Sequence, residues 1–308
     1  MGGLAENRTA GSGGVAARFL SDLQHFIAND RSHDIAALRQ GLYAWVRNAQ
    51  AEAPSFALVH QFSARALSVA NAAMERGDSA ADLRAHLAQS CHAEATDLAT
   101  AIEGVARTAA ATISVNEPWI ATLSNSTAVH EALRVLHREG RSPRVLLAES
   151  RPRLEGRDMA AALAADGIPV WLVTDVALPM LMQQATALWL GANAVTEHGV
   201  LSKIGSFVTA LAAREHGVTV HGLAHRRKFL PATTRSLAIA EMPAAELWEA
   251  APQGVRPRNI YFEMVPIKLV RGICTEDGVV GPSEAVLVAQ DRALPDELES
   301  PPSVPLRA

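Results

Sequence analysis

The chain has 308 residues, enough for one large domain or two ordinary ones, and its 49% hydrophobic and 19% charged content excludes wholesale disorder. The formal net charge of −4 gives no general reason to expect nucleic-acid binding. Cys91 and Cys274 lie too far apart to indicate a disulfide framework or a zinc cluster, and they fit a reducing, cytoplasmic setting.

Both ends of the chain are interpreted as tails. Residues 1–14 are rich in glycine and serine and have no apolar core, so they predict a flexible tail and not a signal peptide. Residues 291–308 contain a proline-rich stretch and predict a second tail. No apolar run approaches the length that crosses a bilayer, so no membrane partner is expected.

The first third of the chain has the apolar spacing of helices. Proline occurs there only at Pro54, in a predicted connecting loop, and Ser79 is a plausible helix N-cap. The four predicted helices cover residues 15–28, 35–46, 56–76 and 80–111. These patterns predict a helical domain over residues 15–116.

The period changes at Pro118, where short apolar runs begin to alternate with helical patterns at the spacing of βαβ units. The predicted strands cover residues 119–123, 144–148, 170–174, 187–190 and 218–222, with further candidates at 261–265 and 269–275. The predicted helices between them cover residues 127–139, 156–166, 179–184 and 204–215. This alternation predicts an α/β fold with a mostly parallel sheet and helices on both faces, whose ligand site lies at the carboxyl ends of the strands.

A dense run of charge follows the second predicted strand, in the segment Glu149-Ser-Arg-Pro-Arg-Leu-Glu-Gly156. In open α/β sheets ligands bind at this edge, so the charges are well placed for a site. A solvated loop is the commonest fate of a charge run, but Pro152, between the two arginines, favours a fixed geometry.

Other loops are expected to meet this segment. The hydroxyl-rich stretch 124–127, at the start of a predicted helix, suits an oxyanion or phosphate cradle, although simple N-capping by Ser126 or Thr127 is at least as good an explanation. Asp175 and Asn193 follow the third and fourth strands, and the stretch Ser202-Lys203-Ile-Gly205-Ser206 is predicted to open another helix and to offer Lys203 as a phosphate ligand beside its N-terminus.

These parts together suit a small phosphorylated polyol, with basic side chains for the phosphate and with carboxylates and amides for the hydroxyls. A classical dinucleotide or P-loop site is not expected, because the chain has neither a Gly-x-Gly-x-x-Gly nor a Walker sequence, and no cofactor is predicted. The predicted ligand-binding residues are Asn125, Ser126, Thr127, Glu149, Arg151, Arg153, Ser202 and Lys203.

Several motifs in this half of the chain resemble those of a known family. They are Glu149-Ser-Arg-Pro-Arg-Leu-Glu-Gly156, Gly167-Ile-Pro-Val170 with Thr174-Asp175, Gly191-Ala192, Lys203-Ile-Gly205-Ser206, Glu215-His-Gly-Val218 and Lys228-Phe229. Their order and spacing resemble the regulatory alpha, beta and delta subunits of translation initiation factor 2B, a superfamily that includes methylthioribose-1-phosphate isomerase and ribose-1,5-bisphosphate isomerase. The resemblance implies an N-terminal helical domain, a Rossmann-like domain over residues 117–290, and assembly as a homodimer or hexamer.

The chain departs from the isomerases that it resembles at their catalytic positions. Their Thr-His-Cys-Asn becomes Thr122-Leu-Ser124-Asn125, and their Gly-Ala-Asp becomes Gly191-Ala-Asn193. Their Asn-Lys pair becomes Ser202-Lys203, and their Arg-Gly-Ala phosphate contact has no clean match near residues 31–34. The resemblance therefore implies that Ser124 and Asn193 stand where the isomerases carry a catalytic cysteine and aspartate.

The two replacements weaken proton transfer but keep hydrogen bonding. A thiol and a carboxylate have tunable pKa values, whereas a serine hydroxyl is a weak acid unless a base lies beside it, and an amide does not exchange protons usefully. Each lost acid or base costs roughly 10²–10⁴ in rate. We therefore expect a protein that binds a sugar phosphate or nucleotide, without the isomerase chemistry.

Two enzymatic alternatives stay open. In an isomerase with rewired chemistry, Asp175, Glu149 or a histidine such as His198 or His225 would replace the missing acid or base. A hydrolase would use Ser124 with a histidine and Asp175, although Ser124 is not in a Gly-x-Ser-x-Gly elbow. A metal site is not expected from the histidine spacing.

Overall fold

The computed structural model describes residues 11–234 and 237–291, together with Leu294 and Leu298. Its first part consists of the helices α1 (Ser12–Asn29), α2 (Ile35–Glu52), α3 (Ala57–Arg76) and α4 (Ala80–Ala111). Helix α1 begins at Ser12, within the range 1–14 that was predicted as a tail, because glycines carry no side chain that would show in an apolar pattern. Residues 1–10 and most of the predicted C-terminal tail lie outside the described residues.

Local signals set the limits of these helices. Ser79 and Asp82 form a reciprocal capping box at the start of α4, which confirms the predicted N-cap. Helix α3 ends at Gly77, whose φ of 73° is the left-handed conformation that glycine tolerates best. Phe19 of α1 packs between Trp45 and Phe62, with ring centroids 5.1 and 6.1 Å away, so α1 is fixed against α2 and α3.

The second part is built on a seven-stranded sheet of order β12-β11-β7-β4-β1-β2-β3. Its strands are β1 (Trp119–Leu123), β2 (Arg144–Ala148), β3 (Val170–Val173), β4 (Ala187–Gly191), β7 (Thr219–Leu223), β11 (Gly272–Thr275) and β12 (Gly278–Val280). All neighbours are parallel except β11 and β12. The helices are α5 (Thr127–Arg138), α6 (Glu155–Ala165), α7 (Ala177–Met180), α8 (Ser206–Glu215) and α9 (Pro282–Gln290). This architecture confirms the predicted α/β fold.

A second, three-stranded antiparallel sheet was not predicted. It has the order β10-β6-β5 and consists of β5 (Ala194–Thr196), β6 (Gly199–Lys203) and β10 (Phe262–Pro266). A separate pair joins β8 (Glu241–Met242) and β9 (Asn259–Ile260). The stretch 202–206 leads into a helix as predicted: Ser202 and Lys203 end β6, and α8 begins at Ser206, two residues after the predicted start at residue 204. The hairpin is too short to show a clear period.

The sheet order fixes where the loops converge. From β1 the chain moves outward through β2 to β3 and then returns to the other side of β1 with β4. The change of direction between β1 and β4 is a topological switch point, where the two following loops separate and leave a crevice. Across the described parts of the chain, no helix has both the length and the hydropathy that a membrane span requires.

Candidate functional site

A small cavity of about 40 Å³ lies at this switch point, between the loops that follow β1 and β4 and the start of α1. Its polar walls include Ser124, Asn125, Glu155, Asn193 and Lys203. The structure therefore brings together residues from four separate segments of the chain. Ser124 and Asn193, which the motif resemblance predicts to stand at the isomerases' catalytic positions, both line this cavity.

Ser124 is held in a constrained conformation. Its φ is 68°, which is uncommon for a residue other than glycine. The backbone N–H of Ser124 donates to Ser150 Oγ at 2.7 Å, and its hydroxyl donates to Glu155 Oε1 at 3.2 Å. The loop after β2 thus fixes both the backbone and the side chain of Ser124.

Glu155 and Lys203 form a buried ion pair beside Ser124. Lys203 Nζ lies 2.6 Å from Glu155 Oε1, and the two side chains are only 2% and 6% exposed. Nζ also lies 4.7 Å from the centre of the Tyr261 ring, a cation–π contact. Within the described ranges, Glu155 Oε2 has no hydrogen-bond partner and Nζ makes no aligned hydrogen bond. Such atoms are expected to bind water or a ligand.

Glu155 is the site residue that the sequence analysis did not select. It belongs to the charged segment 149–156, of which only Glu149, Arg151 and Arg153 are predicted to bind a ligand. Leu154, with a φ of 60°, redirects the backbone so that α6 begins at Glu155 under the loop. The sequence signal that could have identified Glu155 is an acidic residue directly before Gly156, where the helix begins, because helix N-termini favour acidic residues.

Asn193 and Ser202 also line the cavity. Asn193 Nδ2 is buried without a partner among the described residues, whereas the backbone of Asn193 is bonded to Leu201 and Ala57. Ser202 Oγ donates to the Gly191 carbonyl at 2.8 Å and accepts from Ser206 Oγ at 3.0 Å. Ser202 therefore holds the wall together, and Asn193 presents a free donor.

The stretch 124–127 divides between capping and lining. Ser126 accepts from Val129 N–H as the N-cap of α5, which agrees with the N-capping explanation. Asn125 and Ser126 line the cavity, and Thr127 does not. Thr127 instead packs against Gly13, where a Cβ would lie 2.9 Å from its hydroxyl.

The start of α1 closes the cavity. A Cβ on Gly11 would lie 1.9 Å from the Asn125 carbonyl oxygen, so this approach requires glycine. Ser12 lines the cavity and accepts a hydrogen bond of 2.6 Å from Lys228 Nζ. Lys228 also donates to the Ala192 carbonyl at 2.7 Å. Burial lowers the pKa of Lys228 to about 7, because desolvation disfavours the ammonium form.

Besides Thr127, four predicted residues do not line the cavity. Arg151 is exposed, Arg153 lies 3.6 Å from Glu246, and Glu149 accepts from Arg157 at 2.8 Å. Asp175 accepts 2.8 Å hydrogen bonds from the backbone N–H groups of Ser150 and Arg151. The arginines expected to bind phosphate therefore face outward, and Asp175 positions the loop that holds Ser124.

The residues around Ser124 do not form a hydrolase triad. Its hydroxyl is bonded to a carboxylate, and the cavity lining contains no histidine among the described residues. Over the same ranges, no three His, Cys, Asp or Glu side chains are grouped closely enough to hold a metal ion. The arrangement offers hydrogen bonding and one ion pair.

Known proteins share this sequence pattern. A sequence model of the Initiation factor 2 subunit family matches residues 8–282. The chain is 35% identical over 165 residues to a translation initiation factor eIF-2B subunit 2-like protein of Pyrococcus furiosus, covering 53% of this chain and 58% of that protein. It is 30% identical over 180 residues to the ribose 1,5-bisphosphate isomerase of the same organism, covering 56% of each. The chain thus spans about half the length of the curated relatives it matches.

Solved structures share the fold over more of the chain. A translation initiation factor eIF-2B of Pyrococcus horikoshii superposes with a TM-score of 0.77 at 24% identity, covering 92% of this chain and 96% of that one. A 5-methylthioribose 1-phosphate isomerase of the same organism gives a TM-score of 0.72 at 22% identity, covering 92% and 83%. These likenesses establish the fold, and the family model over residues 8–282 confirms the resemblance found in the motifs.

Proposed function

Because the chain belongs to the Initiation factor 2 subunit family, we propose that it binds a small phosphorylated sugar or nucleotide at the switch-point cavity, without isomerising it. The observation that carries this proposal is the set of buried, unpartnered polar atoms that surround Ser124 within the described structure. Glu155 Oε2 and Asn193 Nδ2 are an acceptor and a donor that face the same space.

Burial makes these atoms informative. A buried polar group without a hydrogen bond costs free energy, so native proteins seldom retain one unless water or a ligand satisfies it. Sugar hydroxyls both donate and accept hydrogen bonds, which matches the acceptor Glu155 Oε2 and the donor Asn193 Nδ2 in the cavity lining. The helix starts at Gly11 and Ser126 border the same cavity, and helix N-termini favour anions such as phosphate.

The groups at the two family positions argue against isomerisation. Moving a proton between adjacent carbons requires an acid and a base that contact the substrate. Asn193 supplies neither. The hydroxyl of Ser124 donates a hydrogen bond to the carboxylate of Glu155, which is already paired with Lys203. The protein is therefore proposed to act through binding, as a sensor or an assembly partner.

Binding requires the cavity to open. Its volume of about 40 Å³ holds roughly three waters, because one water needs ~10–15 Å³. A sugar phosphate is larger, so part of the wall must move. The first turn of α1 borders the cavity and is joined to the Ala192 carbonyl by hydrogen bonds from Ser12 and Lys228, so these bonds must break if α1 moves away.

Isothermal titration with ribose 5-phosphate, methylthioribose 1-phosphate and AMP tests the binding claim. We expect saturable binding of at least one of the three ligands, and weaker binding by Asn193→Leu, which keeps the volume but removes the buried donor. Glu149→Gln, which also follows a strand of the sheet but does not line the cavity, is the control. If no ligand binds to the unmodified protein, the proposal fails.

A rewired isomerase is the second candidate, and one contact favours it. Glu155 Oε1 lies 3.2 Å from Ser124 Oγ, so a carboxylate is close to the position of the family's catalytic cysteine. NMR of ribose 1,5-bisphosphate and methylthioribose 1-phosphate with the protein decides between the two. Turnover that Glu155→Gln abolishes would establish the isomerase, and unchanged substrates would exclude it for these compounds.

A double substitution tests whether restoring the two acid/base groups restores isomerase activity. Ser124→Cys with Asn193→Asp restores a thiol and a carboxylate whose pKa values are tunable. We expect this variant to recover measurable turnover of methylthioribose 1-phosphate, followed by NMR, while the unmodified protein shows none. A folded double variant that binds the ligand but leaves it unchanged would show that the two side chains alone do not explain the missing chemistry.

A further inference from the structure

We propose that Glu155 is a specificity-determining residue: it forms a neutral pair with Lys203, receives a ligand hydroxyl, and excludes a phosphate from that end of the cavity. This inference rests on the proposed binding function and deepens it. It also reverses the expectation that Lys203 is a phosphate ligand.

The charge of the cavity is the first argument. Among the described residues that line it, Glu155 and Lys203 are the only charged side chains. They lie 2.6 Å apart and almost fully buried, so the positive charge of Lys203 is compensated by its neighbour. The arginines of the preceding loop face outward. A phosphate beside Lys203 would therefore meet no net positive charge from the side chains that line the cavity.

The hydrogen-bonding capacity of the pair is the second argument. An ionised carboxylate only accepts, and an ammonium only donates. Glu155 Oε2 is buried with no partner, and Lys203 Nζ makes no aligned hydrogen bond within the described structure. One hydroxyl satisfies both, because it donates to Oε2 and accepts from Nζ. A phosphate dianion has no proton for Oε2 and repels the carboxylate.

Tyr261 and the main chain keep the pair in place. The Tyr261 ring lies 4.7 Å from Nζ, and Glu155 is anchored in the first turn of α6. Neither charged group has a flexible surface position to which it can retreat. The carboxylate therefore remains at the site when a ligand enters, which makes the exclusion effective.

Two pentose ligands that differ by one phosphate test the inference. Ribose 5-phosphate and ribose 1,5-bisphosphate are titrated by calorimetry into the unmodified protein, Glu155→Gln and Glu149→Gln. For the unmodified protein and Glu149→Gln we expect the bisphosphate to bind at least about tenfold more weakly than the monophosphate. Glu155→Gln frees the charge of Lys203, so the preference should reverse in favour of the bisphosphate.

Glu155→Gln leaves a buried lysine without its counter-charge and is the variant most prone to unfold. The double variant Glu155→Gln with Lys203→Gln removes both charges and keeps the fold testable. It should bind the two ligands with affinities within about threefold of each other, because neither repulsion nor attraction remains. If Lys203 instead binds phosphate, the double variant will lose affinity for the bisphosphate specifically.

The outcomes separate the two proposals. Binding of the monophosphate with discrimination that depends on Glu155 supports both. Binding of both ligands with a preference for the bisphosphate in the unmodified protein overturns the role of Glu155 and leaves the binding function standing. Failure of the unmodified protein to bind either pentose defeats the proposed function and the inference with it.

Discussion

Two buried lysines lie on either side of the first turn of α1, and they are compensated in different ways. Lys203 faces the carboxylate of Glu155 at 2.6 Å, so its charge is matched by an opposite charge. Lys228 instead donates to a hydroxyl and a carbonyl, those of Ser12 and Ala192. Among the described residues, no carboxylate forms an ion pair with Lys228.

The difference in partners gives the two regions different physical roles. An ion pair retains its charges when it is buried, whereas a buried amine with only neutral acceptors loses its proton more easily. Accordingly, burial lowers the pKa of Lys228 from 10.5 to about 7. The Lys203 region is suited to recognition by charge and hydrogen bonds. The Lys228 region is suited to joining α1 to the sheet without placing a net charge in the interior.

Replacing Lys203 should have the largest effect on this comparison. Lys203→Met leaves Glu155 as an uncompensated buried carboxylate, so we expect a loss of about 3–5 kcal/mol in the free energy of unfolding. Urea unfolding at pH 7 measures it. Lys203→Met combined with Glu155→Gln should recover most of the loss. Equal losses in the single and double variants would show that the pair does not compensate charge.

A substitution at the start of α1 should have the next largest effect on stability. Gly11→Ala places a Cβ 1.9 Å from the Asn125 carbonyl oxygen, so α1 must shift. We expect destabilisation of about 1–3 kcal/mol and weaker binding of ribose 5-phosphate. Gly41→Ala is the matched control, since only Phe26 lies within reach, at 3.7 Å, and a helical alanine should be neutral or stabilising. The measurements are thermal unfolding and calorimetry, and similar results for the two variants would contradict the close approach.

Lys228→Met should act mainly through pH. Because the pKa of Lys228 falls to about 7 in the folded state, the unfolded chain binds the extra proton between about pH 7 and 10.5, and stability should rise with pH across that window. At pH 7 the lost hydrogen bonds and the relieved desolvation oppose each other, so the net change should stay below about 2 kcal/mol.

The test of Lys228 is a difference measurement. Urea unfolding of the unmodified protein and Lys228→Met is followed from pH 6.5 to 10, so that contributions from other titrating groups cancel. The stability of the unmodified protein should rise relative to the variant as pH increases. A constant difference between the two proteins would mean that Lys228 has an ordinary pKa in the folded state.

Tyr261 allows the smallest and most selective change. Its hydroxyl donates to Glu246 while its ring faces Lys203. Tyr261→Phe removes the hydroxyl and keeps the ring, so we expect a loss of about 1 kcal/mol in stability and unchanged ligand affinity. Tyr261→Leu also removes the cation–π contact and should weaken binding of ribose 5-phosphate. Equal affinities for these two variants would show that the ring does not position Lys203.

Short buried runs and caps were predicted well because their signals are local. The predicted bounds of β1 and β2 agree with the structure, since each is an apolar segment that ends at a polar loop. Ser79 was identified as an N-cap from its position alone. Helix α7 was less accurate, because the predicted range 179–184 consists of the end of a short α-helix and a separate 3₁₀ turn.

The charged segment 149–156 shows where local reasoning stops. Its composition placed charge at the correct edge of the sheet, but spacing did not reveal which side chains turn inward. Ser150 and Leu154, with φ values of 65° and 60°, bend the backbone twice. As a result the arginines point outward and Glu155 enters the cavity. The bend at Ser150 is held by hydrogen bonds with Asp175 and Ser124, which are distant in sequence.

The sequence by itself determined the N-terminal helices, the alternation of helices and parallel strands that follows them, and the edge of the sheet at which the loops meet. It also predicts a hydroxyl and an amide, those of Ser124 and Asn193, at the two positions where the isomerases that it resembles carry an acid and a base. These follow from periodicity and residue identity, which need no knowledge of distant contacts. Only the tertiary structure decided that Lys203 ends a strand and faces Glu155, and that Gly11 and Ser12 cover the cavity. Such pairings join residues far apart in the chain, and packing alone selects them.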